Sequence, residues 1–375
     1  MLKTCAVVAG GLLLVSACSS SSSPSSKGAA TVKVTLNDKG CDLSSTSATS
    51  GAITFAVSNS GSSKVTEAEL MQGERILGEK ENIAPGLDGS FTVKVKEGDY
   101  VFRCPGGSGP KDQAFTVTPG EAVAENSAGD EDEQTEAAEK YADYVRAEVA
   151  EQVAATKKLT DAVRAGNLQA AAAAYAGARV NYERIEPVAE SFGDLDPAVD
   201  ARIGDVPSVA KWTGYHRLEY AIFKEKSLTG MTTVADKLDV DVAKLQTLVA
   251  TEKYEATDLA NGASELLSEV GKSKITGEEE NYSHIDFVDF QANVDGARTA
   301  FELLEPALEK RDATLSQQIE GAFTAVDAAL TPYRTGTGPT AFKAYAATPA
   351  EQHQLTAVVD ALAEPLSKVA AELVR

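Results

Sequence analysis

The hydrophobic period of this chain changes once, and that change limits what the chain can fold into. Up to about residue 118 apolar residues alternate with polar ones, as in Thr31-Val32-Lys33-Val34-Thr35-Leu36, Ile53-Thr54-Phe55-Ala56-Val57 and Ser90-Phe91-Thr92-Val93-Lys94-Val95. Residues 100–102 and 114–117 add further strands, and turn-forming clusters at 58–63 and 85–89 separate the runs. A period of two puts one face of each segment in a core and the other outside it. Short strands at this spacing predict a β-sandwich over 31–118. From residue 136 to the end the period is helical, and Ala, Leu, Glu and Lys are abundant. Between them, 119–135 carries the run Asp130-Glu131-Asp132-Glu133 and reads as a solvated acidic linker. A chain of 375 residues accommodates two such domains.

The helical half repeats itself. Gly177-Ala178-Arg179-Val180-Asn181-Tyr182-Glu183-Arg184-Ile185-Glu186-Pro187 matches Gly296-Ala297-Arg298-Thr299-Ala300-Phe301-Glu302-Leu303-Leu304-Glu305-Pro306, and Glu190 falls on Glu309 at the same offset. This predicts two related helical bundles packed together. The offset carries His216 to Thr335 and Glu219 to Gly338. A pair present in one copy alone is not demanded by the bundle architecture.

That pair lies in Trp212-Thr213-Gly214-Tyr215-His216-Arg217-Leu218-Glu219-Tyr220-Ala221-Ile222-Phe223, which holds the chain's one tryptophan and one of its three histidines. On a helix, residues three apart share a face, so His216 and Glu219 can reach a common point. They are either metal ligands or a salt bridge beside Leu218, Ile222 and Phe223. Glu183 and Glu186 share a face in the same way. Carboxylates on facing helices, with a Glu/His pair, build iron or manganese sites in helical bundles; the plainer reading pairs Glu183 with Arg179 and leaves Glu186 solvated. Asp200, ahead of the histidine segment, is a further candidate, as are His284 and Asp286, ahead of the second repeat. His353 has no ligand-like spacing. Imidazole with carboxylates suits Fe(II), Mn(II) or Zn(II) without choosing sharply among them. No His-Glu-x-x-His occurs, and Tyr220 stands where the inverted zinc-peptidase motif needs a histidine. No Gly-x-Ser-x-Gly elbow or Gly-rich phosphate loop is present either, so binding fits better than hydrolysis.

The first eighteen residues read as a targeting segment: Lys3, then an apolar run over 6–15 too short to span a bilayer. Val15-Ser16-Ala17-Cys18 reads as a lipobox, with Cys18 lipidated and the Ser-rich 19–30 as tether. An ordinary cleaved signal peptide is the alternative. In an exported chain Cys41 and Cys104 either pair or serve as thiolate ligands, with Glu67 nearby. No histidine precedes His216, which excludes a type 1 copper centre from the β domain, since that needs two. A net charge of -21 argues against nucleic acid and favours cations or basic partners.

Phe102-Arg103-Cys104-Pro105-Gly106-Gly107, following a strand, resembles the cysteine loop of cupredoxins. With Ser191-Phe192-Gly193-Asp194-Leu195-Asp196-Pro197, the Lys211 to Glu219 segment and Asp289-Phe290-Gln291-Ala292-Asn293-Val294-Asp295-Gly296-Ala297, nearly all of the mature chain resembles the lipoproteins of EfeUOB-type iron-uptake systems, whose helical part belongs to the imelysin (peptidase-like) family. The resemblance implies a cupredoxin-like β-sandwich followed by an all-α imelysin-like domain, 136–375. It implies His216 and Glu219 as metal ligands, with Glu183, Glu186, Asp200 and Asp286 as further carboxylates. It implies a second site at Cys41, Glu67 and Cys104, where copper or zinc would be the metal. The implied role is capture of ferrous or ferric iron on the outer face of the bacterial cytoplasmic membrane, by a lipid-anchored carrier. Delivery would be to a membrane permease, with a haem-peroxidase-like component as second partner and oxidation of the iron left open. Readings from other classes are an imelysin-type metallopeptidase and a structural or adhesive lipoprotein.

Overall fold

The computed structural model describes residues 29–120 and 128–375, with side chains in the second stretch from 131 onward. The leader, Cys18 and residues 19–28 of the tether lie outside the described residues. Nine strands form the first domain: β1 (Ala30–Asn37), β2 (Gly40–Leu43), β3 (Ser47–Thr49), β4 (Gly51–Asn59), β5 (Ala68–Gln72), β6 (Arg75–Lys80), β7 (Asp88–Val95), β8 (Gly98–Arg103) and β9 (Asp112–Thr118). They make two sheets, ordered β2-β1-β4-β7 and β3-β9-β8-β5-β6. Val32, Val34 and Leu36 on β1, and Ile53, Phe55 and Val57 on β4, all point inward and are buried, as the two-residue period requires. Phe55 anchors the core, its ring centroid 5.0 Å from Phe91 and 4.9 Å from Phe102.

Cys41 on β2 and Cys104 just after β8 are joined by a disulfide, with Cα atoms 6.0 Å apart. This corrects the expectation that they act as thiolate ligands: the bond uses both sulfurs and links the two sheets. An oxidising compartment favours that outcome for two cysteines within bridging distance.

The five strands expected from alternation are β1, β4, β7, β8 and β9. The β5–β6 hairpin was hidden because it is buried on both sides. Ala68 and Leu70 face the sandwich core, whereas Glu69 and Glu79 are buried on the other side, where β6 packs on the helix Ala256–Lys272 and on the 3-10 turn at residues 186–192.

The second domain holds α1 (Ala128–Arg164), α2 (Leu168–Ile185), α3 (Leu195–Asp200), α4 (Gly214–Glu219), α5 (Thr232–Val249), α6 (Ala256–Lys272), α7 (Asp286–Leu330), α8 (Pro349–Leu366) and α9 (Val369–Leu373). The expected linker is shorter than 119–135, because α1 already begins at Ala128. Carboxylates in a first turn favour the helix dipole, and Glu131 pairs with Lys94 at 3.0 Å while Glu133 pairs with Lys310. The α1, α2 and α5 helices pack as one bundle and α6 to α9 as the other. One continuous apolar core runs through both. Where α2 meets α7, a Cβ on Gly296 would lie 2.2 Å from the Arg184 carbonyl oxygen, so only glycine allows that approach.

Polar contacts seat the sandwich on the helices: Arg75 pairs with Asp258 at 2.9 Å and Glu252 at 2.7 Å, and Lys80 with Glu265 at 2.5 Å. Asn261 Nδ2 donates to the Thr92 carbonyl at 2.8 Å. Among the described residues no helix is long and apolar enough to cross a membrane.

Candidate metal centre

The histidine segment is placed by what lies just before it. Gly214 opens α4 at φ +83°, and a Cβ there would sit 2.1 Å from the Val199 carbonyl oxygen. A side chain would therefore force α4 away from the end of α3. Trp212 Nε1 donates to the Ala201 carbonyl at 2.7 Å and Thr213 Oγ1 to that of Ala198 at 3.0 Å. These contacts hold Asp200, the last residue of α3, beside His216. After Glu219 the helix widens into a π-helical turn over Tyr220–Glu225, a distortion often found at functional sites.

His216 and Glu219 are each 1% exposed. The imidazole divides a ring of carboxylates. On its Nε2 side stand Glu279 Oε1 at 3.5 Å and Asp200 Oδ1 at 3.7 Å; on its Nδ1 side stand Glu219 Oε2 at 3.5 Å and Glu280 Oε1 at 3.8 Å. Nε2 has no hydrogen-bond partner among the described residues. Glu219 is itself fixed, because its Oε1 accepts from the backbone N–H groups of Tyr282 and Ser283, both at 2.7 Å. Asp200, His216 and Glu279 form one group able to hold a cation, and His216, Glu219 and Glu280 a second.

Arg179, fully buried, supplies the positive charge at the back of this ring. It pairs with Glu183 and Asp200, with Glu280 at 3.0 Å and with Asp289 at 3.3 Å, and it lies 5.6 Å from the centre of the Tyr215 ring. Lys274 Nζ lies 2.5 Å from Glu186 and 3.4 Å from Glu183. Arg202 bonds Glu279 Oε2 at 2.9 Å. Burial would raise the pKa of Glu279, but Lys274 and His216 hold it well below the carboxylate range. Glu183 is lowered too, with Arg179 and Lys274 outweighing burial. Burial, with Asp289 and Glu219 adding repulsion, pushes Glu280 well up. Burial and Glu183 push Asp289 up to about 8. For His216, burial and Arg179 oppose protonation, but Glu219 and Glu279 prevail and raise it. Some carboxyls in the cage thus keep protons while their neighbours are ionised. A cation entering the cage would displace those protons.

The structure places Asp200 and Glu219 on opposite sides of the His216 ring, one in each of the two groups. Glu183 and Glu186 do not join either cation group: they are taken up by Arg179, Lys274 and Asn293, whose Nδ2 donates to Glu186 at 2.5 Å. The Arg179–Glu183 pair is half of the plainer reading above; Glu186 is not solvated, because Lys274 and Asn293 hold it. Asp286 also stands aside, accepting from the Glu280 N–H at 3.1 Å and holding that turn in place. Burial pushes Asp286 up to about 6. His284 and His353 are exposed. Glu279 and Glu280 went unrecognised in the sequence because Glu278-Glu279-Glu280 reads as a solvated charge run. In the second repeat Glu302 is exposed and Arg298 pairs with Asp327 at 2.7 Å, and no matching cage forms there among the described residues.

The fold and the cage define a two-domain protein in which a cupredoxin-like sandwich rides on a helical domain holding an acidic, histidine-centred pocket. The family model described as Imelysin matches residues 137–369, and that described as Cupredoxin-like domain matches 8–111. Proteins called iron uptake system component EfeO are similar along most of their length. The one from Escherichia coli O157:H7 is 37% identical over 343 residues, 90% of each chain; that of strain 536 is 38% identical and that of Shigella flexneri 37%, with the same coverage. The chain belongs to the EfeO family of imelysin-domain proteins.

Proposed function

We propose that the protein is an extracytoplasmic iron-binding component of an uptake system, which captures Fe(II) at His216 and passes it to a membrane permease. The observation that carries this reading is the His216 Nε2 atom. It is buried, lacks a hydrogen-bond partner among the described residues, and is flanked by Asp200 and Glu279. A donor set of imidazole nitrogen and carboxylate oxygen suits Fe(II). The ion sits on the Nε2 side with Asp200 and Glu279 as ligands. Glu219 then acts from the Nδ1 side, orienting the ring as carboxylates commonly do for metal-bound histidines. Glu183, Glu186 and Asp286 act at one remove, through Arg179, Lys274 and Glu280.

The similar proteins are named as iron-uptake components, which supports iron as the cargo. Lipidation at Cys18 would keep the carrier on the outer face of the cytoplasmic membrane, close to the permease and to a haem-peroxidase-like partner. Peptide hydrolysis is disfavoured by burial: with His216 and Glu219 each 1% exposed, a polypeptide has no access to the imidazole. Titrating anaerobic Fe(II) into the mature chain tests the reading. Tight binding that is lost in His216→Ala supports it, and a variant that binds as tightly as wild type would overturn it.

A further inference from the structure

The segment that joins Asp200 to the histidine helix is a loop with pinned ends and a free middle. Ala201 and Trp212 are buried and joined by the bond from Trp212 Nε1 to the Ala201 carbonyl. No residue from 202 to 211 is buried, and Ile203 and Val209 are 37% and 47% exposed. The backbone hydrogen bonds of the stretch are local: Asp205 N–H donates to the Arg202 carbonyl at 3.0 Å, Lys211 N–H to that of Ser208 at 3.0 Å, and Trp212 N–H to that of Val209 at 3.2 Å. Among the described residues, the polar ties of 202–211 to the rest of the molecule come from one side chain, Arg202. Its Nη1 donates to Glu279 Oε2 at 2.9 Å, and its Nη2 lies 3.9 Å from Glu269. Asp205 aims that side chain from within the loop, accepting from the Arg202 backbone N–H at 2.9 Å and from Nε at 3.5 Å. A stretch with so little buried surface and so few outside bonds opens at low cost.

The carboxylate that Arg202 holds is the one that faces the imidazole. Glu279 Oε1 stands 3.5 Å from His216 Nε2, so Arg202 and His216 meet different oxygens of one side chain. Side-chain exposure falls inward along this row, from 32% for Arg202 to 3% for Glu279 and 2% for His216. A cavity of about 280 Å³ has Arg202 and Asp205 on its wall together with Asp200 and Glu279. The guanidinium therefore stands on the solvent side of the Nε2 group. We propose that Arg202 is the gate of the His216 site: it positions Glu279 for the ion and, with the 202–211 loop, sets how fast the ion enters and leaves. This rests on the reading of His216 as the iron site. Two effects follow from the one bond. Arg202 steadies Glu279 through Oε2 while Oε1 is left for the ion, and its charge repels a cation passing close by. Lifting the loop withdraws both effects at once. Arg202 touches no ion itself; it is a positioning residue that acts through Glu279.

The test compares Arg202→Gln and Arg202→Lys with wild type, each as the full mature chain loaded anaerobically with Fe(II). Titration gives the dissociation constant. A chase into excess ferrozine, a chelator that colours on taking Fe(II), gives the release rate. In Arg202→Gln release should quicken by about tenfold or more, the order expected for one lost charge-assisted bond. The dissociation constant should move by less than about threefold, because losing the repulsion offsets the looser Glu279. Lysine keeps the charge and can keep a single bond to Glu279 Oε2, so Arg202→Lys should restore slow release. An unchanged release rate in Arg202→Gln, or a Lys variant that releases as fast as the Gln one, would overturn the gate. An affinity loss as large as the gain in rate would do so too, since that is the mark of a purely structural support for Glu279. Wild type that binds no Fe(II) would instead overturn the His216 reading, and the gate with it.

Discussion

His216 differs from an ordinary core histidine in how its two nitrogens are served. Nδ1 faces a carboxylate that two backbone N–H groups hold in place, while Nε2 is buried without a hydrogen-bond partner among the described residues. The residues around it accordingly carry different predictions. His216→Ala should abolish tight Fe(II) binding in an anaerobic titration. Glu219→Gln keeps the Tyr282 and Ser283 contacts but weakens the partner of the ring, and should cost about 10- to 100-fold in affinity; an unchanged dissociation constant would remove Glu219 from the account. Gly214→Ala places a Cβ against Val199 at a positive φ. It should cost about 1–3 kcal/mol from backbone strain alone, measured by denaturant unfolding, and a neutral result would mean that α4 is free to shift. His216 and Glu219 were legible beforehand because helical spacing alone puts them on one face. Glu279 and Glu280 were not. Their burial depends on Arg179, Arg202 and Lys274, which reach them from other elements and leave no mark on the local sequence.

At the scale of elements, alternation revealed the strands with one buried and one open face, and missed the β5–β6 hairpin, which is covered on both. The helical repeat was legible from its offset, and the structure adds that both copies share one core. The acidic run in the first turns of α1 looked like linker because charge reads as solvent-facing, yet acids are welcome in a helix's first turns. The disulfide between Cys41 and Cys104 closes a separation of 63 residues. Replacing both cysteines by serine should cost about 2–5 kcal/mol of stability and leave Fe(II) affinity unchanged. Thermal melts and titrations on one preparation measure both. A variant that retained full stability but lost metal would return the cysteines to the ligand set.

Across the whole molecule, buried acids dominate the electrostatics. Burial, with like-charged neighbours, pushes Glu67 and Glu190 up to about 8 and Glu81 up to about 7, as it does Asp289 to about 8. In the unfolded chain these carboxyls titrate near 4. Between roughly pH 5 and 8 the folded protein therefore binds more protons than the unfolded one, and stability falls as pH rises. The raised pKa of His216 acts in the same direction. Glu183, Glu219 and Glu279, whose pKa values are lowered, act the opposite way, below the ordinary carboxylate range. The metal-free protein should melt at a higher temperature at pH 5 than at pH 8, and adding Mn(II) at pH 8 should recover stability, because a ligand bound to the folded state alone stabilises it. A flat or rising profile would show that the acids are compensated some other way.

The functional account rests on one placement, iron beside the imidazole. Crystals of the mature chain soaked anaerobically in Fe(II), with anomalous differences collected at the iron edge, test it directly. The account predicts a peak on the Nε2 side of His216, between Asp200 and Glu279. A map with no iron there, or with the ion on the Nδ1 side against Glu219 and Glu280, would contradict it.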